Sequence, residues 1–158
     1  ALPEGLERIW VEVELAIVIG RRTRNARSEQ QAREAIFAFT IGNDITASNI
    51  FGRDFHLARS KSLDGFCPIG PELVTGVDFE NRPLRTRVNG VETQSSSTAN
   101  RVLNSVQVVQ LVSRLMTLEP GDVILTGTPP GARFHPIRPG DRVELEIESL
   151  GVLRNDFS

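Results

Sequence analysis

A chain of 158 residues, 39% hydrophobic and 24% charged, is long enough for one domain with a real core and has an ordinary globular make-up. A net charge of −2 with no basic stripe of interleaved aromatics argues against nucleic-acid binding, and no bilayer-spanning apolar run or signal peptide is visible. A single cysteine, Cys67, excludes an internal disulfide and fits a reducing compartment, so the cytoplasm is the expected location.

The chain opens ALPEGLERIW without an initiator Met. It reads as the body of a larger protein whose N-terminal segment is absent or processed away; removal of Met before Ala is the plainer alternative. The first predicted strand is WVEVELAIVIG, residues 10–20. Val11, Val13, Leu15, Ile17 and Ile19 share one face of it; Glu12, Glu14, Ala16 and Val18 share the other. Ala16 and Val18 suggest that the second face is covered too. Two neighbouring carboxylates there repel each other and lose hydration, so something positive should sit against them.

RRTRNAR follows as a solvated turn, and Ser28 with Gln31 forms a capping box for a helix over 28–36. FAFTIGNDITA predicts a strand around 38–47, GRDFHLARSKS a loop, and FCPIGPELV a short strand broken by proline. RTRVNGVETQ is a hairpin turning at Asn89-Gly90, with SSST after it as loop. VLNSVQVVQLVSRLMTL has helical spacing and stops before Pro120-Gly121. DVILTGT reads as a strand, TPPGARFHPIRPGD as a loop and RVELEIESLGVLRND as a closing β segment. Strands outnumber two short helices without βαβ alternation, which predicts a single mainly β domain, a sandwich or roll.

Mg²⁺ and Mn²⁺ favour carboxylate oxygens, and acids at i and i+2 of a strand can reach one ion from a rigid base. A solvent-facing acidic edge is the competing reading for Glu12 and Glu14. The second E-x-E, through Glu144, Glu146 and Glu148, alternates with Val143, Leu145 and Ile147 and reads as a wet strand face. Asp44 either caps a turn or is a third ligand. Lys61 is either a surface lysine or, near a metal, an electrophile or proton donor. ILTGTPPG either turns the chain or offers N–H groups and the Thr126 and Thr128 hydroxyls to a carboxylate. His56 and His135 lie in loops without a Ser or Cys arrangement, which argues against a Ser/His/Asp triad. Cys67, between Phe66 and Pro68, reads as core.

Six segments, VEVELAIVIG, TIGNDITA, SKSLDGFCPIGPELV, RVNGVETQ, MTLEPGDVILTGTPPG and PGDRVELEIESLGVLRN, together resemble the fumarylacetoacetate hydrolase superfamily over nearly the whole chain. The resemblance implies that Glu12, Glu14 and Asp44 bind Mg²⁺ or Mn²⁺, that Lys61 is the active-site lysine and that Thr128 contacts substrate. It also implies the family's β-sandwich roll and a homodimer. SKSLDGFCPIG looks most like the isomerase/decarboxylase branch of homoprotocatechuate breakdown. Those enzymes act on 2-hydroxyhepta-2,4-diene-1,7-dioate and 5-oxopent-3-ene-1,2,5-tricarboxylate. The expected chemistry is a divalent ion chelating the 2-oxo or enol oxygen with its neighbouring carboxylate, as Lewis acid on an enolate.

Two departures qualify that expectation. Ser48 and Asn49 stand where many members have Arg and Asp, which weakens a C–C hydrolase reading and leaves the three acids untouched. The family's N-terminal lid, often carrying a His-Glu pair, has no counterpart within these residues. The expected function is therefore a metal-dependent isomerase or decarboxylase of an oxo-dicarboxylate. A hydrolase or decarboxylase of acylpyruvates or oxaloacetate is the second reading, and a weakly active scaffold half beside a competent subunit the third.

Overall fold

The computed structural model describes residues 6, 8–48 and 57–158. Two four-stranded antiparallel sheets form its body. One has the order β5-β3-β2-β8, from Ile69–Val74 (β5), Ile36–Asn43 (β3), Val13–Ile19 (β2) and Val123–Leu125 (β8). The other has the order β10-β9-β6-β7, from Gly151–Asp156 (β10), Arg142–Ile147 (β9), Pro83–Val88 (β6) and Val91–Ser97 (β7). A two-stranded piece pairs Ile9–Trp10 (β1) with Thr46–Ala47 (β4). The α-helices whose bounds lie wholly among the described residues are Glu29–Ala35 (α1), Ala58–Lys61 (α2) and Ser105–Leu115 (α3).

The core fills the space between the sheets. Val13, Leu15, Ile17 and Ile19 of β2 and Phe39 and Ile41 of β3 join Leu84, Val143, Leu145, Ile147 and Leu153 in one buried cluster. Each fully buried aliphatic chain contributes about 1.5–3 kcal/mol, which makes this interface the main reason the sheets stay together. The second face of β2 is covered as well: Glu14, Ala16 and Val18 are all buried.

Local signals hold where their chemistry is self-contained. Ser28 caps α1 with the full capping box through Gln31, and Asn104 does the same for α3 through Gln107. Asn89 and Gly90 both take positive φ, 52° and 80°, which the tight β6–β7 turn requires. β5 carries Pro71 at the edge of its sheet, where a missing N–H costs no ladder bond. The second E-x-E is a wet face: Glu144 pairs with Arg154, Glu146 with Arg85 and Arg87, and Glu148 with Arg82.

Several boundaries differ from expectation. The first strand is two pieces, because the chain leaves β1 and its pairing to β4 before entering β2 beside β3. The strand expected over 38–47 starts at Ile36 and breaks at Asp44–Ile45, where the Asp44 N–H turns to the Glu12 carbonyl at 3.0 Å. Ser95–Ser97, read as loop, belong to β7, since β6 supplies partners out to Pro83↔Ser97. Ala58–Lys61, also read as loop, is a helical turn. The closing β segment is a hairpin of β9 and β10 that turns through Ser149 at φ 69°. Cys67 is exposed in a left-handed conformation rather than part of the core. His135 is exposed at the end of a short 3₁₀ turn; His56 and Asn49 lie outside the described residues.

Candidate metal and active site

The site forms where the ends of β2 and β3 meet α2 and the loop after β8. β2 presents Glu14 opposite Gly42 of β3, and Glu12 stands just before the strand. The backbone bond from Asp44 N–H to Glu12 O fixes the two segments in register, so Asp44 arrives beside the glutamates. One carboxylate oxygen from each of Glu12, Glu14 and Asp44 lies within 4.8 Å of the others. The expected ligand set, scattered over 33 positions of sequence, is brought together.

The positive partner anticipated for the acids is Lys61. α2 delivers its Nζ into hydrogen-bond contact with Asp44 Oδ2 and to 3.5 Å from Glu12 Oε2. Burial alone would lower the lysine's pKa, but Asp44 and Glu12 override it and hold it above the ordinary value. Lys61 is thus an ammonium at neutral pH. Three carboxylates against one ammonium leave a charge deficit of the sign that a divalent cation fills.

Glu14 shows the cost of that deficit. It is 4% exposed, and its pKa is pushed up to about 7, first by burial and further by the Asp44 and Glu12 charges. A short hydrogen bond from the Gly127 N–H, at 2.5 Å, works in the opposite direction. Three hard oxygen donors, one of them strained by like charge and burial, are a donor set suited to Mg²⁺ or Mn²⁺.

The loop after β8 is pinned at successive residues. Thr126 Oγ1 donates to Leu15 O at 2.9 Å, Gly127 N–H donates to Glu14, and Gln94 Nε2 donates to Thr128 Oγ1 at 3.1 Å and Pro129 O at 2.8 Å. Thr128 is therefore one residue from a contact to the acidic cluster. A cavity of about 390 Å³ opens beside the loop, lined by Leu84, Arg101, Leu103, Val108, Thr128 and Pro129 among others. The four charged groups do not line it.

Further residues shape the site. Trp10 Nε1 donates to Glu12 Oε1 at 2.6 Å, and Arg133 lies over the indole at 5.7 Å. Asn43, fully buried, accepts from the Glu12 N–H at 3.2 Å and donates to Asn155 Oδ1 at 2.9 Å. Gln94 is buried on the opposite sheet. Sequence gave Trp10 one usable signal, an indole two residues before an acid; Asn155 and Gln94 gave none, since only the fold brings them near.

A match to the family described as fumarylacetoacetate (FAA) hydrolase C-terminal runs over residues 1–158, and the chain belongs to that family. It is 41% identical over 168 residues to the mitochondrial oxaloacetate tautomerase FAHD2A of Bos taurus, covering 97% of this chain and 51% of that protein. The solved 5-carboxymethyl-2-hydroxymuconate delta-isomerase of Mycobacterium smegmatis superposes with a TM-score of 0.94 at 42% identity, over 99% of this chain and 61% of that one. The 2-hydroxyhepta-2,4-diene-1,7-dioate isomerase of Mycobacterium marinum gives 0.94 at 43% identity, over 99% and 61%. The chain spans between about half and two thirds of the length of the curated relatives it matches. The expected family and its mainly β sandwich fold are both found.

Proposed function

We propose that the chain is the catalytic body of a divalent-cation-dependent isomerase, acting as a homodimer on a 2-oxo or enol dicarboxylate of the kind produced in aromatic breakdown. The observation that carries this reading is the convergence of Glu12, Glu14 and Asp44 with the Lys61 ammonium against two of them. When bound by the three acids, Mg²⁺ or Mn²⁺ supplies Lewis acidity to a chelating 2-oxo acid.

The chain's own residues divide the remaining work. β2 carries Glu14, and the backbone bond between Asp44 and Glu12 ties the other two acids at the strand ends, so little conformational entropy is lost on binding. Lys61 places positive charge, or a proton, beside the oxygen on which negative charge develops. Thr128 holds a substrate carboxylate from the loop that Glu14 and Gln94 pin. The isomerase and tautomerase relatives support isomerisation over decarboxylation, which would use the same enolate. The Ser48 and Asn49 substitutions weigh against hydrolysis.

The test is an enol–keto and dioate isomerisation assay with Mn²⁺, comparing the native chain with Lys61→Ala. The variant is expected to keep Mn²⁺ binding, at least as tight as in the native chain because the competing ammonium is gone, and to lose turnover by about 10²-fold or more. Native turnover in Lys61→Ala would remove the lysine from the mechanism.

A further inference from the structure

Gln94 lies on β7, in the sheet opposite the acids, yet its side chain reaches the loop beside them. It is 3% exposed, and its amide makes three hydrogen bonds. Oε1 accepts from the Thr86 hydroxyl at 2.8 Å, and Nε2 donates to Pro129 O at 2.8 Å and to Thr128 Oγ1 at 3.1 Å. The orientation of this amide is not arbitrary. Pro129 O can only accept, so the nitrogen must face it, and the oxygen is left for Thr86. The same nitrogen then faces Thr128.

A hydroxyl has one proton and can accept through its lone pairs. Because Gln94 donates to Thr128 Oγ1, the threonine is an acceptor on that side and its own proton must point elsewhere. Among the described residues no acceptor is bonded to that O–H. We infer that Gln94 is a positioning residue that sets the polarity of Thr128: by filling one lone pair of its hydroxyl it turns the O–H away from itself and towards the ligand, which favours an anionic acceptor, a carboxylate, at that position. This inference rests on the functional reading above, in which Thr128 meets a substrate carboxylate. The pinning is rigid as well as polar. Thr86 lies on β6, fully buried, so the glutamine is clamped between two strands before it reaches the loop.

Gln94→Glu is the sharpest probe, since it keeps the shape and reverses the polarity. Its carboxylate accepts from Thr128, turning the hydroxyl proton inward. Titrations with Mn²⁺, and then with oxalate on the Mn²⁺-loaded protein, are made on the native chain, Gln94→Glu, Thr128→Val and the double variant. Mn²⁺ affinity is expected to stay within about threefold, and oxalate affinity to fall by about tenfold to a hundredfold in Gln94→Glu, the range for a lost bond to a charged group. Thr128→Val should show a similar loss, and the double variant should be no worse than Thr128→Val, because Gln94 acts through the hydroxyl. Gln94→Met serves if the carboxylate prevents folding, with loss in the same direction. Undiminished oxalate binding in a folded Gln94 variant, or fully additive losses, overturns this inference alone. A native chain that binds no Mn²⁺ overturns the functional reading and this inference with it.

Discussion

Glu14 carries the tension of the site. Its pKa near 7 comes chiefly from burial, and the group is neutral in the folded chain at pH values where it is ionised in the unfolded one. A carboxyl with a raised folded pKa gives stability that is present below about pH 4.5 and lost as pH rises through about 7. The metal-free native chain should therefore lose on the order of 3 kcal/mol relative to Glu14→Gln between pH 4.5 and 8, read from urea midpoints. Saturating Mn²⁺ should reverse that trend, because the ion binds the ionised carboxylate and competes with the proton. A flat difference between the two proteins would mean that Glu14 is solvated. Lys61 acts from the other side: Lys61→Ala should lower metal-free stability by about 2 kcal/mol, since it leaves partly buried acids without their counter-charge. Mn²⁺ should restore most of that loss, and thermal melts with and without the ion check it.

At the scale of elements, the same face of the first sheet contains a second anomaly. Thr40 of β3 lies opposite Ala16 of β2, fully buried, and among the described residues its hydroxyl has no hydrogen-bond partner. Thr40→Val keeps the β-branched shape and removes the unpaired hydroxyl, so it should stabilise the chain by about 1 kcal/mol in denaturant melts. Destabilisation would show that the oxygen has a partner after all. Elements were legible in the sequence where one local rule decided them. The Ser28 capping box, the Asn89-Gly90 turn and the alternation of Val143, Leu145 and Ile147 each appear as read. Helix α2 and the end of β7 were not legible, because Ala58–Lys61 is too short to show a period and Ser95–Ser97 have weak strand preference. Pairing with β6 makes those serines a strand. Cys67 misled for a related reason: apolar neighbours suggested core, but backbone at positive φ turns the side chain outward.

The whole molecule explains why the acids could be proposed from sequence while their surroundings could not. Glu12 and Glu14 are visible as charges on an otherwise apolar strand, and that contrast needs no structure. Their company comes from β3, α2, the loop after β8 and β10, joined only when the two sheets pack and the strand ends align. Asn155 reaches Asn43 from 112 positions away, and Gly127 reaches Glu14 from 113. The core between the sheets thus has a consequence for the site, since it fixes the register on which the three acids converge.

That convergence is tested most directly by titrating the purified chain with Mn²⁺ by calorimetry, in the absence and presence of oxalate. The fluorescence of Trp10, the single tryptophan and a hydrogen-bond donor to Glu12, is followed in parallel. The expected result is about one ion per chain, tighter binding with oxalate, a saturating change in Trp10 emission at the same stoichiometry, and loss of all three in Glu14→Ala. An absence of binding, or binding unchanged in Glu14→Ala, would contradict the three-carboxylate site.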